Sequence, residues 1–296
     1  HFKEKTLEYA PSLGLKEAVE AWQNFYSDKE VYFEKEEILV TSGGSEALLF
    51  AFLSVCDPGE ELLIFEPFYT SYASLAAMGN IVIKPVTTVA KTGYHLPSQQ
   101  MIEKAIGPKT KAIVFNNPNN PTGAVFTEEE VRMIKDIALK HNLFIISDDT
   151  YQEIVFDDKK LFPLTVFPEL NEQLIIADSV SKRFNSCGAR VGCLATHNKD
   201  ILNASLRFGQ GRLSVATVEQ LALVPVLKNH LFYVSTLKEI YQSRRDAVVR
   251  ELKKIPGIKF LAPQGAFYIM VTLPLKDSDD FARFLLSDFS EKNETV

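Results

Sequence analysis

The chain has 296 residues with 46% hydrophobic residues, 24% charged residues and a formal net charge of −6. These values are ordinary for a globular protein and exclude a disordered chain, a collagen-like repeat and a disulfide scaffold. No run approaches the roughly 18 apolar residues of a membrane span, and no block of basic residues occurs, so we expect neither a membrane nor nucleic acid as a partner. The three cysteines lack metal-ligand spacing and favour a reducing compartment. We expect a cytoplasmic protein that holds no metal.

Short apolar runs alternate with helical patterns through the first two thirds of the chain. The runs lack regular polar alternation, which is typical of strands buried on both faces of a parallel sheet; they cover 38–40, 62–65, 81–83, 112–115, 143–146 and 174–176. Apolar residues at helical spacing predict helices over 45–56, 98–106 and 127–141. This order predicts an α/β fold in which helices sandwich a mostly parallel sheet.

The last third of the chain has a different pattern. A long helix is predicted from about 230 to 254, where Pro256 and Gly257 end it. Short strands around 259–261 and 266–271 and a helix from 278 to about 289 follow. We therefore expect residues 1–243 to form a large domain and residues 244–296 to form part of a smaller α+β domain.

Polar segments follow several of the predicted strands, at the edge where open α/β sheets bind ligands. Gly43, Gly44 and Ser45 form a turn that opens a helix, and the free N–H groups of such a turn suit an anion such as phosphate. A loop rich in asparagine and proline presents the carboxamide of Asn120. Asp148 leaves a buried strand, which is costly unless a metal or an organic cation pairs with it.

The segment after the strand at 174–176 carries the most specific pattern. Lys182 stands among hydroxyl residues and is followed eight residues later by Arg190. Lysine is the side chain that bonds covalently to carbonyl compounds, and arginine binds phosphate through two parallel hydrogen bonds. Among the neighbouring charges, Asp149 and Asp178 are expected to be solvated or to cap a turn, and Arg183 is expected to be a surface charge.

Together these segments resemble the fold-type-I pyridoxal-phosphate enzymes, in particular the aminotransferase family that includes aspartate aminotransferase. The resemblance runs from about Tyr9 to Tyr268 and rests mainly on the motif Ser-x-Ser-Lys followed by Gly-x-Arg-x-Gly. It implies that pyridoxal 5′-phosphate is the cofactor and that Lys182 holds it as an internal aldimine. It also implies that Asp148 pairs with the protonated pyridine nitrogen.

The resemblance assigns roles to further residues. Tyr151 and Asn120 match the pair that hydrogen-bonds the phenolic oxygen of the cofactor, and Tyr69 falls where the family stacks an aromatic ring on the pyridine, with Tyr72 as a less certain neighbour. The phosphate cup of the family corresponds to Gly43, Gly44, Ser45, Ser179 and Arg190. Tyr9 matches the tyrosine that reaches the phosphate of the neighbouring subunit, which implies a homodimer.

The reaction implied is the transfer of an amino group between an α-amino acid and a 2-oxo acid. A carbon–sulfur lyase or another fold-type-I enzyme with this cofactor is the alternative, and a non-catalytic cofactor-sensing domain is a third reading. A nucleotide-binding module is disfavoured because GxGxxG and GxxxxGK[ST] are absent from the sequence. Compared with the family pattern both ends look short, and no arginine after Arg283 matches the one that grips the substrate α-carboxylate. The donor amino acid and a substrate role for Arg212 stay open.

Overall fold

The computed structural model describes residues 6–291 and 294. Among these residues, one sheet contains β1 (Ile38–Thr41), β2 (Glu61–Glu66), β3 (Val82–Thr87), β4 (Thr110–Asn116), β5 (Phe144–Asp148), β6 (Leu174–Ser179) and β7 (Gly192–Ala195). The strand order is β1-β7-β6-β5-β4-β2-β3. Strand β7 runs antiparallel to β1 and β6, whereas the other neighbouring strands are parallel. The predicted mostly parallel sheet is confirmed.

Helices cover both faces of this sheet. They are α1 (Lys16–Ser27), α2 (Gly44–Val55), α3 (Ser71–Met78), α4 (Gln99–Ala105), α5 (Glu128–His141), α6 (Val180–Arg183), α7 (Lys199–Gly211) and α8 (Thr217–Lys228). Helix α5 begins at a capping box, in which the hydroxyl of Thr127 accepts from the backbone N–H of Glu130 and the Glu130 carboxylate accepts from the backbone N–H of Thr127. These two bonds satisfy donors that the first turn of a helix leaves free.

The central strands are uninterruptedly apolar because each of their faces packs against a separate cluster of side chains. In β2, Leu63 and Phe65 join a cluster with residues of α1 and α5, whereas Leu62 and Ile64 join a cluster with residues of α2, α3 and α7. Successive side chains of a strand point to opposite faces. A strand covered on both sides therefore needs apolar residues at every position, which is the pattern that predicted it.

The last third of the chain contains α9 (His230–Leu252), β8 (Lys259–Phe260), β9 (Val271–Thr272) and α10 (Ser278–Ser287). The strand predicted over 266–271 is wrong except at Val271, the first residue of β9. Ala266 turns the chain with a φ of +54°, and its backbone N–H donates to the carbonyl of Ile154 instead of a neighbouring strand. Within residues 6–291 and 294, no helix is both long and apolar enough to cross a membrane. The division into domains at residue 244 stays a prediction.

Three charged residues expected in contact with solvent lie in the interior. Arg183 and Asp178 are each 1% exposed and Asp149 is 4% exposed. The Arg183 guanidinium donates from Nη2 to Asp178 Oδ2 at 3.0 Å and lies 4.5 Å from the ring centre of Phe25. Charged side chains stay at the surface unless a partner is buried with them. Arg183 and Asp178 are such a pair, so the expected surface position was wrong for both.

The ends of β4, β5 and β6 meet at one edge of the sheet, where β4 and β5 are joined by a side-chain amide. Asn116, the last residue of β4, donates from Nδ2 to the carbonyl of Asp148 at 2.9 Å. Its Oδ1 accepts from the backbone N–H of Asn120 at 2.6 Å. The loop after β4 is thereby fixed against the end of β5, and Asn120 and Asp148 are brought to the same place.

Candidate functional site

A cavity of about 250 Å³ lies at this edge of the sheet. It is lined by residues from the start of α2, from the loops after β4 and β5, and from the turn after β6. The lining includes every predicted site residue except Gly43 and Tyr9, namely Gly44, Ser45, Tyr69, Asn120, Asp148, Tyr151, Ser179, Lys182 and Arg190. Segments that are far apart in the sequence therefore supply one continuous surface.

One end of the cavity is built to receive an anion. Gly43 precedes α2 with a φ of +76°, a conformation that favours glycine, and a Cβ atom there would lie 2.7 Å from Nη2 of Arg190. The absence of a side chain at Gly43 thus lets the guanidinium approach the start of α2. Free N–H groups and the positive end of the helix dipole act together with an arginine in binding phosphate or carboxylate.

Lys182 lies on the single turn of α6, next to this anion-binding end. Ser179 caps the turn, since its hydroxyl accepts from the backbone N–H of Ser181 at 3.1 Å. The Lys182 amine lies 3.7 Å from the Cys187 sulfur and 5.7 Å from the ring centre of Phe267. Within the described part of the chain, no carboxylate lies close enough to form an ion pair with Lys182. Its amine is therefore available to a carbonyl group in the cavity.

Asp148 also lines the cavity and is buried. Its Oδ2 accepts from the hydroxyl of Tyr72 at 2.7 Å, and its Oδ1 accepts from the backbone N–H of Thr150 at 3.2 Å. Burial raises the pKa of the Asp148 carboxyl above its ordinary value, against the hydrogen bonds from Tyr72 and from the side chain and backbone of Thr150, which lower it. Among the described residues, no lysine, arginine or histidine forms an ion pair with Asp148. The carboxylate therefore has room for a cation supplied by a ligand.

A metal shared by Asp148 and Asp149 does not fit this arrangement. Asp149 lines a different and much smaller cavity, where its Oδ1 accepts from the hydroxyl of Ser147 at 2.5 Å. Across residues 6–291 and 294, no group of three or more histidine, cysteine, aspartate or glutamate side chains is placed to hold a metal ion. Asp148 and Asp149 therefore line separate cavities.

Aromatic side chains form the remaining wall of the cavity. The hydroxyl of Tyr151 lies 2.6 Å from that of Tyr268, and the ring of Tyr69 meets the ring of Tyr72 edge to face with centres 5.5 Å apart. Sequence reasoning assigned no role to Tyr268. The signal in the sequence is Gly265, three residues earlier, because a glycine beside a strand pattern marks a place where another part of the backbone comes close.

Two residues named from the sequence lie away from the cavity. Tyr9 is 81% exposed and is not among the residues that line the cavity. Arg212, whose role the sequence left open, binds Glu46 on α2 through Nε at 2.9 Å and the carbonyl of Val40 through Nη2 at 2.8 Å. Arg212 therefore supports the start of α2 and does not face the cavity.

One cavity thus brings together a glycine turn with Arg190, a buried carboxylate at Asp148 and the amine of Lys182, an arrangement suited to an organic ligand that carries both charges. Comparisons with known proteins identify the family. The family profile described as "Aminotransferase class I and II" matches residues 2–290. The chain is 31% identical to aspartate/prephenate aminotransferase of Thermus thermophilus, over 89% of this chain and 68% of that protein. It is 33% identical to aspartate aminotransferase of Pyrococcus horikoshii, over 94% of this chain and 72% of that protein.

Solved structures give the same result. Aspartate aminotransferase from Thermus thermophilus with maleate superposes with a TM-score of 0.88 at 30% identity, covering 95% of this chain and 74% of that one. Alanine aminotransferase from Pyrococcus furiosus superposes with a TM-score of 0.89 at 28% identity, covering 96% of this chain and 74% of that one. The chain belongs to the class I and II aminotransferases and is an enzyme that transfers amino groups. None of these relatives favours the lyase alternative.

Proposed function

We propose that the cavity binds pyridoxal 5′-phosphate and that the protein uses it to move an amino group from an α-amino acid to a 2-oxo acid. The observation that carries this proposal is the buried carboxylate of Asp148, which lacks a cation in the same cavity that holds Lys182 and Arg190. When bound, pyridoxal phosphate supplies an electron sink for the negative charge that develops on the substrate's α-carbon.

Three residues hold the cofactor by its three functional groups. Lys182 would hold the aldehyde group of the cofactor through its amine. Asp148 pairs with the pyridine nitrogen, and its negative charge raises the pKa of that nitrogen so that the ring keeps its proton. Arg190 binds the phosphate together with the N–H groups of Gly44 and Ser45 at the start of α2 and with the hydroxyl of Ser179.

The remaining site residues act on the reacting atoms or hold the ring. The Lys182 amine would hold and move the proton at the substrate's α-carbon. Tyr151 and Asn120 would hydrogen-bond the phenolic oxygen of the cofactor, and Tyr69 would stack on the pyridine ring. Lys182, Asp148 and Tyr151 are the catalytic residues of this proposal.

A panel of amino donors tests the reaction. Aspartate, alanine and aromatic amino acids are each incubated with 2-oxoglutarate and the pyridoxal-phosphate-loaded protein. We expect one 2-oxo acid to form for each glutamate produced, and we expect none with Lys182→Ala, while Lys199→Ala at the start of α7 serves as the matched control with full activity. Pyruvate and ammonia formed without an acceptor would instead identify a lyase.

We also propose that two copies of the chain share each site, with Tyr9 donating to the phosphate bound by the neighbouring copy. The exposure of the Tyr9 side chain supports this, as does the fixed position of its segment, in which the Thr217 hydroxyl donates to the carbonyl of Glu8 at 3.0 Å. Tyr9→Phe should weaken cofactor binding by about 0.5–1.5 kcal/mol, the net contribution of one hydrogen bond.

Mixing two inactive variants tests whether Tyr9 acts across subunits. A heterodimer of Tyr9→Ala and Lys182→Ala chains has one site with both residues intact and one site without either. Activity should therefore recover in part on mixing, provided that Tyr9→Ala alone lowers it measurably. A demonstrated heterodimer without recovery, or a fully active monomer, would contradict the shared site.

A further inference from the structure

We propose that Tyr268 is a positioning residue that directs the hydroxyl proton of Tyr151 toward the cofactor. The two phenolic oxygens are 2.6 Å apart, and both side chains line the cavity that contains Lys182. Tyr268 lies in the last third of the chain, 117 residues beyond Tyr151. The inference rests on the proposed function, in which Tyr151 donates to the phenolic oxygen of pyridoxal phosphate.

The backbone before Tyr268 is fixed to the large sheet and its loops. The backbone N–H groups of Gln264 and Gly265 both donate to the carbonyl of Gly123, at 2.8 and 3.0 Å. The N–H of Ala266 donates to the carbonyl of Ile154 at 2.9 Å. These backbone hydrogen bonds fix the segment that carries Tyr268, and the fold thereby places Tyr268 beside Tyr151.

Close approach at Gly265 is part of the same anchoring. A Cβ atom at Gly265 would lie 2.7 Å from Cγ of Pro118 and 2.8 Å from the carbonyl of Ile154. Phe267, two residues after Gly265, packs edge to face against the Tyr151 ring at 5.2 Å and stacks on the Tyr241 ring at 5.1 Å. The Tyr151 ring is therefore held by neighbours that belong to the same segment as Tyr268.

The direction of the hydrogen bond follows from counting protons. Burial, reinforced by the Tyr268 hydroxyl, raises the pKa of Tyr151, so Tyr151 stays protonated at neutral pH and has one proton to donate. If it donates to Tyr268, it has none left for the cofactor. If Tyr268 donates to the Tyr151 oxygen, the Tyr151 proton points into the cavity. A phenol that accepts a hydrogen bond is also a stronger donor, because neighbouring hydrogen bonds polarise one another.

Removing the Tyr268 hydroxyl should weaken the hydrogen bond from Tyr151 to the phenolic oxygen of the cofactor. Less stabilisation of negative charge on that oxygen disfavours the form of the bound cofactor that carries fewer protons. The pH midpoint of its visible absorbance should therefore rise. In Tyr268→Phe we expect a rise of about 0.3–1 pH unit, which corresponds to the contribution of part or all of one hydrogen bond.

Tyr241→Phe is the matched control. It removes a hydroxyl from the same aromatic cluster, but that hydroxyl donates to Asn185 Oδ1 at 3.4 Å and does not contact Tyr151. The pH midpoint is measured by absorbance titration of the pyridoxal-phosphate-loaded wild type and of both variants. We expect the control to keep the wild-type midpoint, and an equal rise in both variants would contradict the proposal.

A double-mutant cycle separates positioning from direct contact with the cofactor. In a Tyr151→Phe background, Tyr268→Phe should produce no further shift, because its target hydroxyl is gone. A shift of the same size in both backgrounds, or no shift of Tyr268→Phe in the wild-type background, would overturn the proposal. Failure of the proposed function looks different: no visible band forms with pyridoxal phosphate, or Tyr151→Phe by itself leaves the midpoint unchanged.

Discussion

Asp148 and Asp178 lie on neighbouring strands and are both buried. Within the described part of the chain, Asp178 forms an ion pair and Asp148 does not. Asp178 accepts from Arg183 Nη2 at 3.0 Å, from the Tyr26 hydroxyl at 3.3 Å and from the backbone N–H of Ser179 at 2.6 Å. Asp148 accepts from Tyr72 and Thr150, and no lysine, arginine or histidine among the described residues forms an ion pair with it. Asp178 thus belongs to a complete ion pair with Arg183, whereas the carboxylate of Asp148 lines a cavity without a cationic partner.

The difference between the two carboxylates lies in what compensates the buried charge. A buried ion pair within the protein holds its surroundings together, since removal of either partner leaves an uncompensated charge. A buried carboxylate without a cation costs stability in the ligand-free protein, and the cost is offset when a cationic ligand binds. The Asp178 side is therefore expected to determine stability, and the Asp148 side is expected to determine function.

Breaking the completed pair should have the largest effect on stability. Arg183→Met keeps the packing against Phe25 but leaves Asp178 without its cation, so we expect a loss of about 3–5 kcal/mol in the free energy of unfolding. Arg132→Met removes an exposed arginine paired with Glu128 on α5 and is expected to cost less than about 1 kcal/mol. Urea unfolding of the three proteins measures both changes. Equal losses would show that the buried pair is no stronger than the surface one.

Neutralising the other carboxylate should affect turnover instead. Asp148→Asn keeps the shape of the side chain and removes the charge opposite the pyridine nitrogen, so kcat for transamination should fall by about 10²–10³, within the range of a group that supports proton transfer. Its free energy of unfolding should stay equal to that of the wild type or rise, because a buried charge is removed. Asp149→Asn, the same change one residue later, should keep kcat within about threefold of the wild type, since Asp149 lies outside the cavity.

A turnover loss shared by Asp148→Asn and Asp149→Asn would show that the two carboxylates do not have separate roles. A large loss of stability in Asp148→Asn would show that Asp148 is structural, as Asp178 is.

Asp149, a third buried carboxylate, is expected to make the free energy of unfolding depend on pH. Burial and the nearby charge of Asp178 raise its pKa to about 7, from about 4 in an unfolded chain. Between these values the folded protein holds a proton that the unfolded chain has released, so the contribution of Asp149 to stability falls as pH rises. The carboxamide of the Asp149→Asn variant has no such proton to release. The stability of Asp149→Asn relative to wild type should therefore increase by about 2–4 kcal/mol between pH 4.5 and 7.5 in cofactor-free protein.

Urea unfolding at several pH values measures this difference. The exposed Asp136→Asn on α5 is the control and should follow the wild-type curve in parallel. A parallel curve for Asp149→Asn as well would show that Asp149 is ionised in the folded protein throughout this range.

The parallel strands could be predicted from the sequence because burial on both faces requires continuous apolar runs, as in Leu62–Phe65. Strand β7 could not, since Gly-Cys-Leu-Ala is too short and too poor in β-branched residues to stand out. Its position also depends on Gly192, where a Cβ atom would lie 2.7 Å from the carbonyl carbon of Gly43. That contact joins residues far apart in the sequence, and no local pattern reports it.

Some residues at the site could likewise be predicted from the sequence, and others could not. Lys182, Arg190 and the turn at Gly43 were found from the sequence because each belongs to a short motif with fixed spacing. The interior position of Arg183 was missed because its partners, Asp178 and Phe25, come from different elements. The contact of Tyr268 with Tyr151 was missed for the same reason. Local motifs thus identified groups that line the cavity, whereas the contacts that support those groups could be seen only in the fold.

The most direct test of the cofactor site is to locate the lysine that bonds pyridoxal phosphate. The loaded protein is reduced with borohydride, digested and mapped by mass spectrometry, with Lys182→Ala treated in parallel. We expect a pyridoxyl label on Lys182 in the wild type and the loss of that labelled peptide in the variant. A stoichiometric label on Lys199 or on any other lysine, with Lys182 unmodified, would contradict the assignment of the cavity between Asp148 and Arg190 as the cofactor site.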